Sequence, residues 1–333
     1  MGRESWEQTG ETLAPKEPDE MTMGSSVQWY TVETLKATSF PECPWALAFT
    51  EASCEHATRG DWNWETGLNK DQIADFESIR DHGFGAVYGN WSFLKNHSAD
   101  KAKYANRQLS WVAYIAGKRE SRRLLGDVIL CQQDVQEQRP YPDAFVTTTW
   151  SLDLHYPDPK NTEHFPGEEF KTICKTPAIK PYPIPYRCLY SRNVENLFMA
   201  GRDISVTHVA LGTVRVMRTC GMMGEVVGMA ASICKSRDTT PPGVYVEHLP
   251  ELKDFYLKRW DERIARFPEE KAQFPVRMAA WEKAAAKARA ESKPVPSGQP
   301  RLDDPATSPH GPPHLYNAMI APLIPFGIKG AIW

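Results

Sequence analysis

The chain has 333 residues, of which 41% are hydrophobic and 24% are charged, a composition typical of a folded globular protein. Its 42 acidic and 39 basic side chains give a net charge of −3, which excludes the strongly basic surface of a nucleic-acid-binding protein. No stretch approaches the roughly 18 uncharged apolar residues of a membrane span, and residues 1–24 lack the apolar core of a secretory signal. We therefore expect a soluble, cytoplasmic protein.

Seven cysteines are spread along the chain at wide intervals, and no two of them form a Cys-x-x-Cys pair. Zinc ribbons, thioredoxin-type pairs and cysteine-bound iron–sulfur clusters depend on such short spacings, so the sequence predicts no metal site. Buried free thiols are the simplest interpretation of these cysteines, and they fit a reducing compartment.

The N-terminal third alternates between loops and regular elements. Residues 1–22 are polar and predict a loop, whereas residues 24–38 alternate apolar and polar side chains as an edge strand does. Residues 40–68 are rich in turn-forming residues and contain three tryptophans. Helical spacing of apolar residues then predicts one helix over residues 70–97 and a second over residues 100–116.

The middle of the chain predicts extended structure. Residues 144–155 alternate apolar and polar side chains and predict a strand. Residues 174–190 contain prolines that forbid a helix and favour an edge strand. Residues 196–201 form a short apolar segment that ends in a glycine, and we predict a third strand there.

The C-terminal part predicts helices. Residues 212–235 are rich in small and apolar side chains and predict one long helix, and residues 248–291 predict another that ends in an alanine-rich segment. Residues 292–333 hold nine prolines and predict a tail that packs loosely or not at all.

The segment from residue 196 to residue 235 carries the clearest chemical signal, because it predicts a strand, a glycine turn, an acidic residue and then a helix. Gly201 permits a tight turn at the end of the strand, and Asp203 can accept hydrogen bonds from a sugar or sugar-alcohol hydroxyl. Backbone N–H groups around 212–214 would open the helix, whose positive end can hold a developing anion. The alternative is an ordinary buried strand–helix unit without a ligand.

Small residues also form a stripe on one face of this predicted helix. The stripe consists of Gly221, Gly224, Gly228 and Ala231. Such a stripe predicts very close approach of a neighbouring element or of a planar ligand.

At these residues the chain resembles FAD-dependent oxidoreductases with the glutathione-reductase-type fold, most closely the heterodisulfide-reductase-A-like branch often found near glycan-degradation genes. The resemblance extends from about residue 1 to residue 250. The segments that carry it are Arg119-Glu120-Ser121-Arg122-Arg123, Ile184-Pro185-Tyr186-Arg187, Ala200-Gly201-Arg202, Ser205-x-Thr207-His208 and Gly212-Thr213-Val214-Arg215-Val216-Met217-x-Thr219-Cys220.

One part of the family pattern is missing. The family binds the FAD pyrophosphate with an N-terminal βαβ unit that carries G-x-G-x-x-G, and no such unit occurs here. The nearest similar segment, residues 83–88, has Tyr88 at the third glycine position and follows a charged helical segment instead of a strand. We therefore expect the chain to be an incomplete fragment, the C-terminal part of such an enzyme, and a partner chain or domain to supply the dinucleotide-binding half.

The resemblance implies an α/β fold, in which a mixed α+β substrate domain is combined with the C-terminal βα part of a glutathione-reductase-type FAD-binding domain. The implied domains are a polar N-terminal segment (1–23), the substrate domain (24–190), the C-terminal part of the FAD-binding domain (191–235), a helical extension (236–291) and a Pro-rich tail (292–333).

The resemblance also implies FAD as the cofactor and assigns roles to individual residues. His208 and Arg215 would be catalytic. The substrate-binding residues would be Arg187, Tyr190, Arg119 and Arg122. The cofactor-binding residues would be Gly201, Arg202, Asp203, Ile204, Ser205, Gly212, Thr213 and Val214. Some of these assignments have alternatives, since a histidine before a helix, such as His208, is often a cap or core contact, and the three arginines at 187, 119 and 122 could form ordinary ion pairs.

The implied function is oxidation or reduction of an organic small molecule, with a glycan-derived compound as one option, by hydride transfer to or from the flavin. A helix beginning near Gly212 would stabilise the negative charge on the flavin ring edge. Two alternatives stay open, namely a non-catalytic fragment or subunit that needs another chain, and a carbohydrate-binding module using the tryptophans of residues 45–91. Flavin bound to the purified protein would distinguish the flavin-dependent oxidoreductase from the two alternatives.

Overall fold

The computed structural model describes residues 2–291, 295–296 and 298–308. Most of the predicted tail over 292–333 lies outside these residues. The helices of the described part are α1 (Trp6–Thr9), α2 (Phe76–Asn96), α3 (Lys101–Tyr104), α4 (Gln132–Gln136), α5 (Pro159–His164), α6 (His208–Val214), α7 (Met217–Arg237), α8 (Pro241–Glu247) and α9 (Leu249–Ala290). The strands are β1 (Ser25–Ser26), β2 (Trp29–Glu33), β3 (Arg59–Gly60), β4 (Glu65–Thr66), β5 (Arg107–Val112), β6 (Gly117–Lys118), β7 (Ala144–Thr148), β8 (Leu154–Pro157), β9 (Thr172–Lys175) and β10 (Tyr182–Pro185).

This mixture of helices with small sheets confirms the α/β class. The chain divides into two compact units. The first unit holds the N-terminal residues through Glu7, then Pro15–Arg122 and Asp153–Thr176, and the second unit holds Gln8–Ala14, Arg123–Leu152 and the chain from Pro177 onward. Assignment of substrate and cofactor roles to particular segments stays a prediction. None of the described helices is both long enough and apolar enough to cross a membrane.

The first unit is built on small antiparallel sheets covered by α2. Strands β3, β2 and β5 form one sheet, β4, β1 and β6 form a second, and β8 pairs with β9. Trp29, Trp64 and Trp91 are buried together in its core, where the rings of Trp29 and Trp64 meet edge to face at 5.0 Å. Because Trp64 and Trp91 fill the core, they are not exposed to stack on a sugar ring.

The predicted helix over 100–116 is wrong. Only α3 is helical there, and β5 pairs antiparallel with β2 over Arg107–Val112. The β2 strand supplies backbone hydrogen-bond partners, and the ring of Tyr30 stacks on that of Trp111 at 5.6 Å. This cross-strand pairing of distant residues outweighs the local helical spacing. The other helix predicted nearby, over 70–97, is confirmed as α2.

The second unit combines the antiparallel β7–β10 pair with helices α6–α9, and α7 lies against β7, α8 and α9. The long helix predicted over 248–291 is confirmed as α9. The predicted strand over 196–201 is wrong, because Phe198 makes only an isolated antiparallel bridge with Tyr190. The helix predicted over 212–235 is two helices, α6 and α7, since Val216 between them is extended at φ −71° and ψ 144°.

Candidate functional site

Three segments of the second unit, residues 124–130, 187–191 and 201–207, are hydrogen-bonded side by side through their backbones. The Ser205 N–H donates to the Cys188 carbonyl at 3.0 Å, and the Ser205 carbonyl accepts from the Leu130 N–H at 3.1 Å. Residues 201–207 are therefore the central segment, with 187–191 hydrogen-bonded on one side and 124–130 on the other. These hydrogen bonds hold the predicted 201–205 motif in place between its neighbours, and we call residues 201–207 the platform although they are not a regular strand.

Gly201 begins this platform with φ +130°, a conformation that a residue with a side chain adopts only with strain. A Cβ placed on Gly201 would lie 3.7 Å from Oδ1 of Asp203, so the turn brings that carboxylate back over the glycine. Asp203 is half-buried and Arg202 is exposed. The turn therefore presents one carboxylate at the edge of the platform, and the binding of a ligand hydroxyl by Asp203 stays a prediction.

Ser205 lies at the centre of the platform and is fully buried. Its Oγ has no hydrogen-bond partner among the described residues. A Cβ on Gly126 would lie 3.0 Å from the Ser205 Cβ and 2.4 Å from the Arg187 carbonyl oxygen, so only glycine fits beside the serine. A buried hydroxyl without a partner is costly, by about 1–3 kcal/mol, which makes Ser205 a candidate ligand contact.

The next residues start helix α6. Thr207 caps it by accepting a hydrogen bond from the Ala210 N–H at 3.2 Å, and the Thr207 hydroxyl donates to Oε1 of Glu11 at 2.6 Å. The same Glu11 oxygen accepts from the Gln132 N–H at 2.7 Å. His208 is the first helical residue and is 3% exposed. Sequence reasoning missed Glu11, because nothing in the polar residues 1–22 connects it with a site about 200 residues away.

The prediction that a helix starts near Gly212 is wrong, since Gly212, Thr213 and Val214 all lie buried within α6. The Thr213 hydroxyl is used inside the unit, where it hydrogen-bonds the Trp150 carbonyl and lies 2.9 Å from the Thr148 hydroxyl. Because N–H groups of a helix interior are bonded within the helix, these three residues offer a ligand little backbone hydrogen bonding. Their role in cofactor binding stays a prediction.

The helix in this region whose N-terminus lacks a side-chain cap is α7. Its N-cap residue, Val216, provides no side-chain hydrogen bond, and Met217 is 92% exposed. Arg215 is half-buried at the junction of α6 and α7. Burial raises the pKa of the Cys220 thiol, which donates to the Val214 carbonyl at 3.8 Å and packs without reactive character.

Arg187 and Tyr190 both interact with carboxylates of their own unit. The Arg187 guanidinium donates from Nε and Nη2 to the two oxygens of Asp143, each at 2.9 Å, and lies 4.5 Å from the centre of the Tyr245 ring. The Tyr190 hydroxyl donates to Asp127 at 2.5 Å. Burial, followed by this hydrogen bond, raises the pKa of Tyr190, which stays protonated. Arg187 therefore forms an ion pair with Asp143, which is the alternative to substrate binding that the sequence left open.

Arg119 and Arg122 belong to the first unit, so the predicted substrate-binding residues are divided between the two units. Arg122 is exposed. Arg119 lies with its Nη1 3.3 Å from the buried Glu65 carboxylate and also donates to the Ser26 hydroxyl at 2.8 Å.

Glu65 is the centre of a buried ionic network that sequence reasoning missed. His155, 2% exposed, places Nδ1 2.5 Å from Glu65 Oε2, and the Thr172 hydroxyl donates to the same oxygen at 2.9 Å. Burial raises the pKa of Glu65, but the His155 hydrogen bond and the Arg119 charge outweigh it and the net shift is downward. Burial lowers the pKa of His155, but its bonds to Asp153 and Glu65 raise it on balance.

The small-residue stripe on α7 has no close neighbour in the part of the chain that the structure describes. A Cβ added at Gly221, Gly224 or Gly228 would meet nothing within 4 Å, and all three residues are exposed. The close approach expected from the sequence is therefore not made by any described element of the chain.

A basic cavity of about 430 Å³ lies between α7 and α9. None of the residues predicted for the site, all of which are described, lines this cavity. It is lined by Arg218, Gly221, Met222, Glu225, Arg259, Arg263, Arg266 and Glu270.

Comparison with known proteins gives one match. The model of a family described as FAD dependent oxidoreductase matches residues 3–252, three quarters of the chain. No curated protein and no solved structure matches the chain.

Proposed function

The chain belongs to the FAD-dependent oxidoreductase family, and from this premise we propose that it transfers hydride between FAD and an organic substrate at the platform of residues 201–207. It is an oxidoreductase, and FAD is its cofactor.

The platform offers groups that fit part of the cofactor. Ser205 has a buried hydroxyl that lacks a partner among the described residues, and Asp203 holds a carboxylate beside the Gly201 turn. A hydroxyl and a carboxylate suit the hydroxyl groups of a sugar or sugar alcohol, which FAD contains. We propose that Gly201, Arg202, Asp203, Ile204 and Ser205 hold this part of FAD. The buried Ser205 hydroxyl is the observation that carries the proposal.

When bound, FAD supplies the group that accepts or donates the hydride. The chain supplies positioning and charge. The Thr207–Glu11 hydrogen bond holds the start of α6, and with it His208, in place. Arg215 and the uncapped start of α7 would place positive charge where negative charge develops during the reaction. His208 and Arg215 are the two residues that we propose as catalytic.

The pyrophosphate of FAD needs a binding element of its own. The 333 residues contain no G-x-G-x-x-G motif. Among the predicted cofactor-binding residues, Gly201 is the glycine with a positive φ, and it does not form part of a glycine-rich turn. We propose that a partner chain or a further domain supplies this turn and packs on the stripe of Gly221, Gly224 and Gly228. A glycine in a helix costs about 0.8–1.0 kcal/mol relative to alanine, so three exposed glycines suggest that another backbone packs on them.

The substrate class that we propose is a glycan-derived organic molecule, and this rests on the resemblance to the heterodisulfide-reductase-A-like branch alone. Its test is anaerobic incubation of the protein, loaded with FAD in the presence of the proposed dinucleotide-binding half, with a panel of sugars and other organic reductants. Loss of the visible flavin absorbance with sugars would support the class, and loss only with non-sugar compounds would exclude it.

Cofactor placement is tested by titrating FAD and following quenching of its fluorescence. A hydrogen bond to a charged group contributes about 1.5–3 kcal/mol, so Asp203→Ala should weaken FAD binding by roughly 10-fold to 150-fold. Ser205→Ala should weaken it by a smaller factor. Ser236→Ala is the matched control, because Ser236 is exposed on α7 and its hydroxyl donates to the Ile233 carbonyl of the same helix. Unchanged affinity in both platform variants would contradict the proposed placement.

A further inference from the structure

A tight turn in the first unit brings three different metal-binding side chains together, outside the site proposed for FAD. The Cys54 N–H donates to the Thr50 carbonyl at 2.9 Å, and the Ser53 hydroxyl accepts from the Thr50 N–H at 2.9 Å. The turn places the Glu51 carboxylate, the Cys54 thiol and the His56 imidazole on one side, with their ligand atoms all within 4.8 Å of one another.

The distances match those expected around a single ion. The Cys54 Sγ lies 3.6 Å from His56 Nε2, and His56 Nε2 lies 3.8 Å from Glu51 Oε1. A tetrahedral zinc ion with Zn–S of about 2.3 Å and Zn–N of about 2.0–2.1 Å separates its sulfur and nitrogen ligands by about 3.5 Å. The thiol and the imidazole therefore already have the required separation, and the carboxylate needs only a small side-chain movement.

Each side of this cluster is held by a second contact. The other ring nitrogen of His56, Nδ1, lies 3.1 Å from the Tyr104 hydroxyl, which turns Nε2 toward Cys54. Glu51 Oε2 accepts from the Ala99 N–H at 3.0 Å, and its Oε1 accepts from the Ser98 hydroxyl at 3.2 Å. A hydrogen bond to the second nitrogen of a ligating histidine is the usual outer contact of metal sites.

The charge balance also favours a cation. In the part of the chain that the structure describes, no lysine or arginine forms an ion pair with Glu51, and its nearest basic partner is His56. The side chains of Glu51 and His56 are 49% and 43% exposed, so an ion can enter from solvent and keep a water molecule as a fourth ligand.

We propose that Glu51, Cys54 and His56 form a binding site for a divalent metal ion of the zinc type, with three protein ligands and one open position. A set of one sulfur, one nitrogen and one oxygen suits zinc or cobalt and does not suit magnesium or calcium, which prefer oxygen ligands alone. The rule that recognises Cys-x-x-Cys pairs does not find the site, because its spacing is Glu-x-x-Cys-x-His.

The test uses cobalt as a spectroscopic probe. Metal-free protein of residues 1–333 is titrated with Co²⁺, and the near-ultraviolet absorption band of a thiolate-to-cobalt bond is followed, with zinc added afterwards in competition. We expect the band to saturate at one cobalt per chain and to disappear when zinc displaces the cobalt. Absence of the band in wild-type protein with an intact circular dichroism spectrum would overturn the proposal.

Variants then identify the ligands. Cys54→Ser should abolish the band, and Glu51→Gln and His56→Gln should each weaken cobalt binding at least 10-fold. Tyr104→Phe should keep the band but weaken binding by roughly 10-fold to 100-fold, because only the orientation of the histidine is lost. Retention of the band in Cys54→Ser would show that another thiol binds cobalt and would overturn the assignment.

Matched controls lie in the same unit. Cys43 is a half-buried thiol that donates to the Pro41 carbonyl, and His97 pairs with Glu42 at 2.9 Å. Cys43→Ser and His97→Gln should bind cobalt as the wild type does. A loss of the band in either control would locate the metal elsewhere and contradict the proposal.

Discussion

The guanidinium of Arg187 and the carboxylate of Asp143 form a two-pronged ion pair, and the backbone N–H of Arg187 donates to the same carboxylate at 2.9 Å. Asp143 is fully buried, whereas the Arg187 side chain is 20% exposed. Among the described residues, Arg187 is the ion-pair partner that hydrogen-bonds this aspartate, so the arginine is engaged before any substrate arrives. The pKa of Arg187 is raised by the hydrogen bonds to Asp143.

Replacing Arg187 should destabilise the protein strongly. Arg187→Ala leaves the Asp143 charge buried without its partner, which we expect to cost about 3 kcal/mol in the free energy of unfolding. Urea unfolding measures this loss. Arg237→Ala removes the exposed Arg237–Glu251 pair and should cost less than about 1 kcal/mol. Equal losses in the two variants would mean that Asp143 does not depend on Arg187.

The Glu65–His155 pair should make stability depend on pH. The pKa of Glu65 is lowered in the folded state, so its contribution is present above the ordinary value of 4.5 and is lost as the pH falls through the lower folded value. The pKa of His155 is raised, so its contribution is complete below the ordinary value of 6.5 and is lost as the pH rises through the higher folded value. The pair therefore stabilises the protein most between these two ordinary values.

Urea midpoints measured across this pH range test the expectation. His155→Gln should remove the decline of stability on the alkaline side, because the variant has no imidazolium to lose. His97→Gln, which alters an exposed histidine beside Glu42, should leave the decline in place. A wild-type protein whose stability rises steadily above pH 6.5 would contradict a charged His155.

The chain by itself should bind FAD weakly. Each charge-assisted hydrogen bond to the pyrophosphate contributes roughly 1.5–3 kcal/mol, and the loss of several such bonds lowers affinity by orders of magnitude. Titration of residues 1–333 with FAD, followed by fluorescence quenching, measures the affinity. Binding should become tight when a dinucleotide-binding half is supplied in a longer chain or as a partner. Submicromolar affinity of the chain alone would show that no such half is needed.

Helix glycines with different surroundings should respond in opposite directions to alanine. Gly224→Ala on α7 meets nothing within 4 Å and should raise the stability of the chain by about 1 kcal/mol. Gly83→Ala on α2 should lower it, because the new Cβ would lie 2.3 Å from Val27 Cγ2. Thermal unfolding compares the two variants. A longer side chain, as in Gly224→Leu, should also block binding of the proposed dinucleotide-binding half.

Local patterns determined much of the chain without any tertiary information. Apolar residues at helical spacing predicted α2 and α9, because a periodic face is a property of neighbouring residues alone. The glycine turn at Gly201 and the acidic residue after it were likewise visible in the sequence, since a positive φ is a requirement of a single residue.

The tertiary structure decided what depends on residues far apart in the chain. Residues 107–112 form a strand and not a helix because β2 supplies their backbone partners, and the break at Val216 separates α6 from α7. Hydrogen bonds from Thr207 to Glu11 and from Thr172 to Glu65 cross 196 and 107 positions. No local pattern encodes such pairs, because the energy that selects them comes from burying and compensating polar groups together.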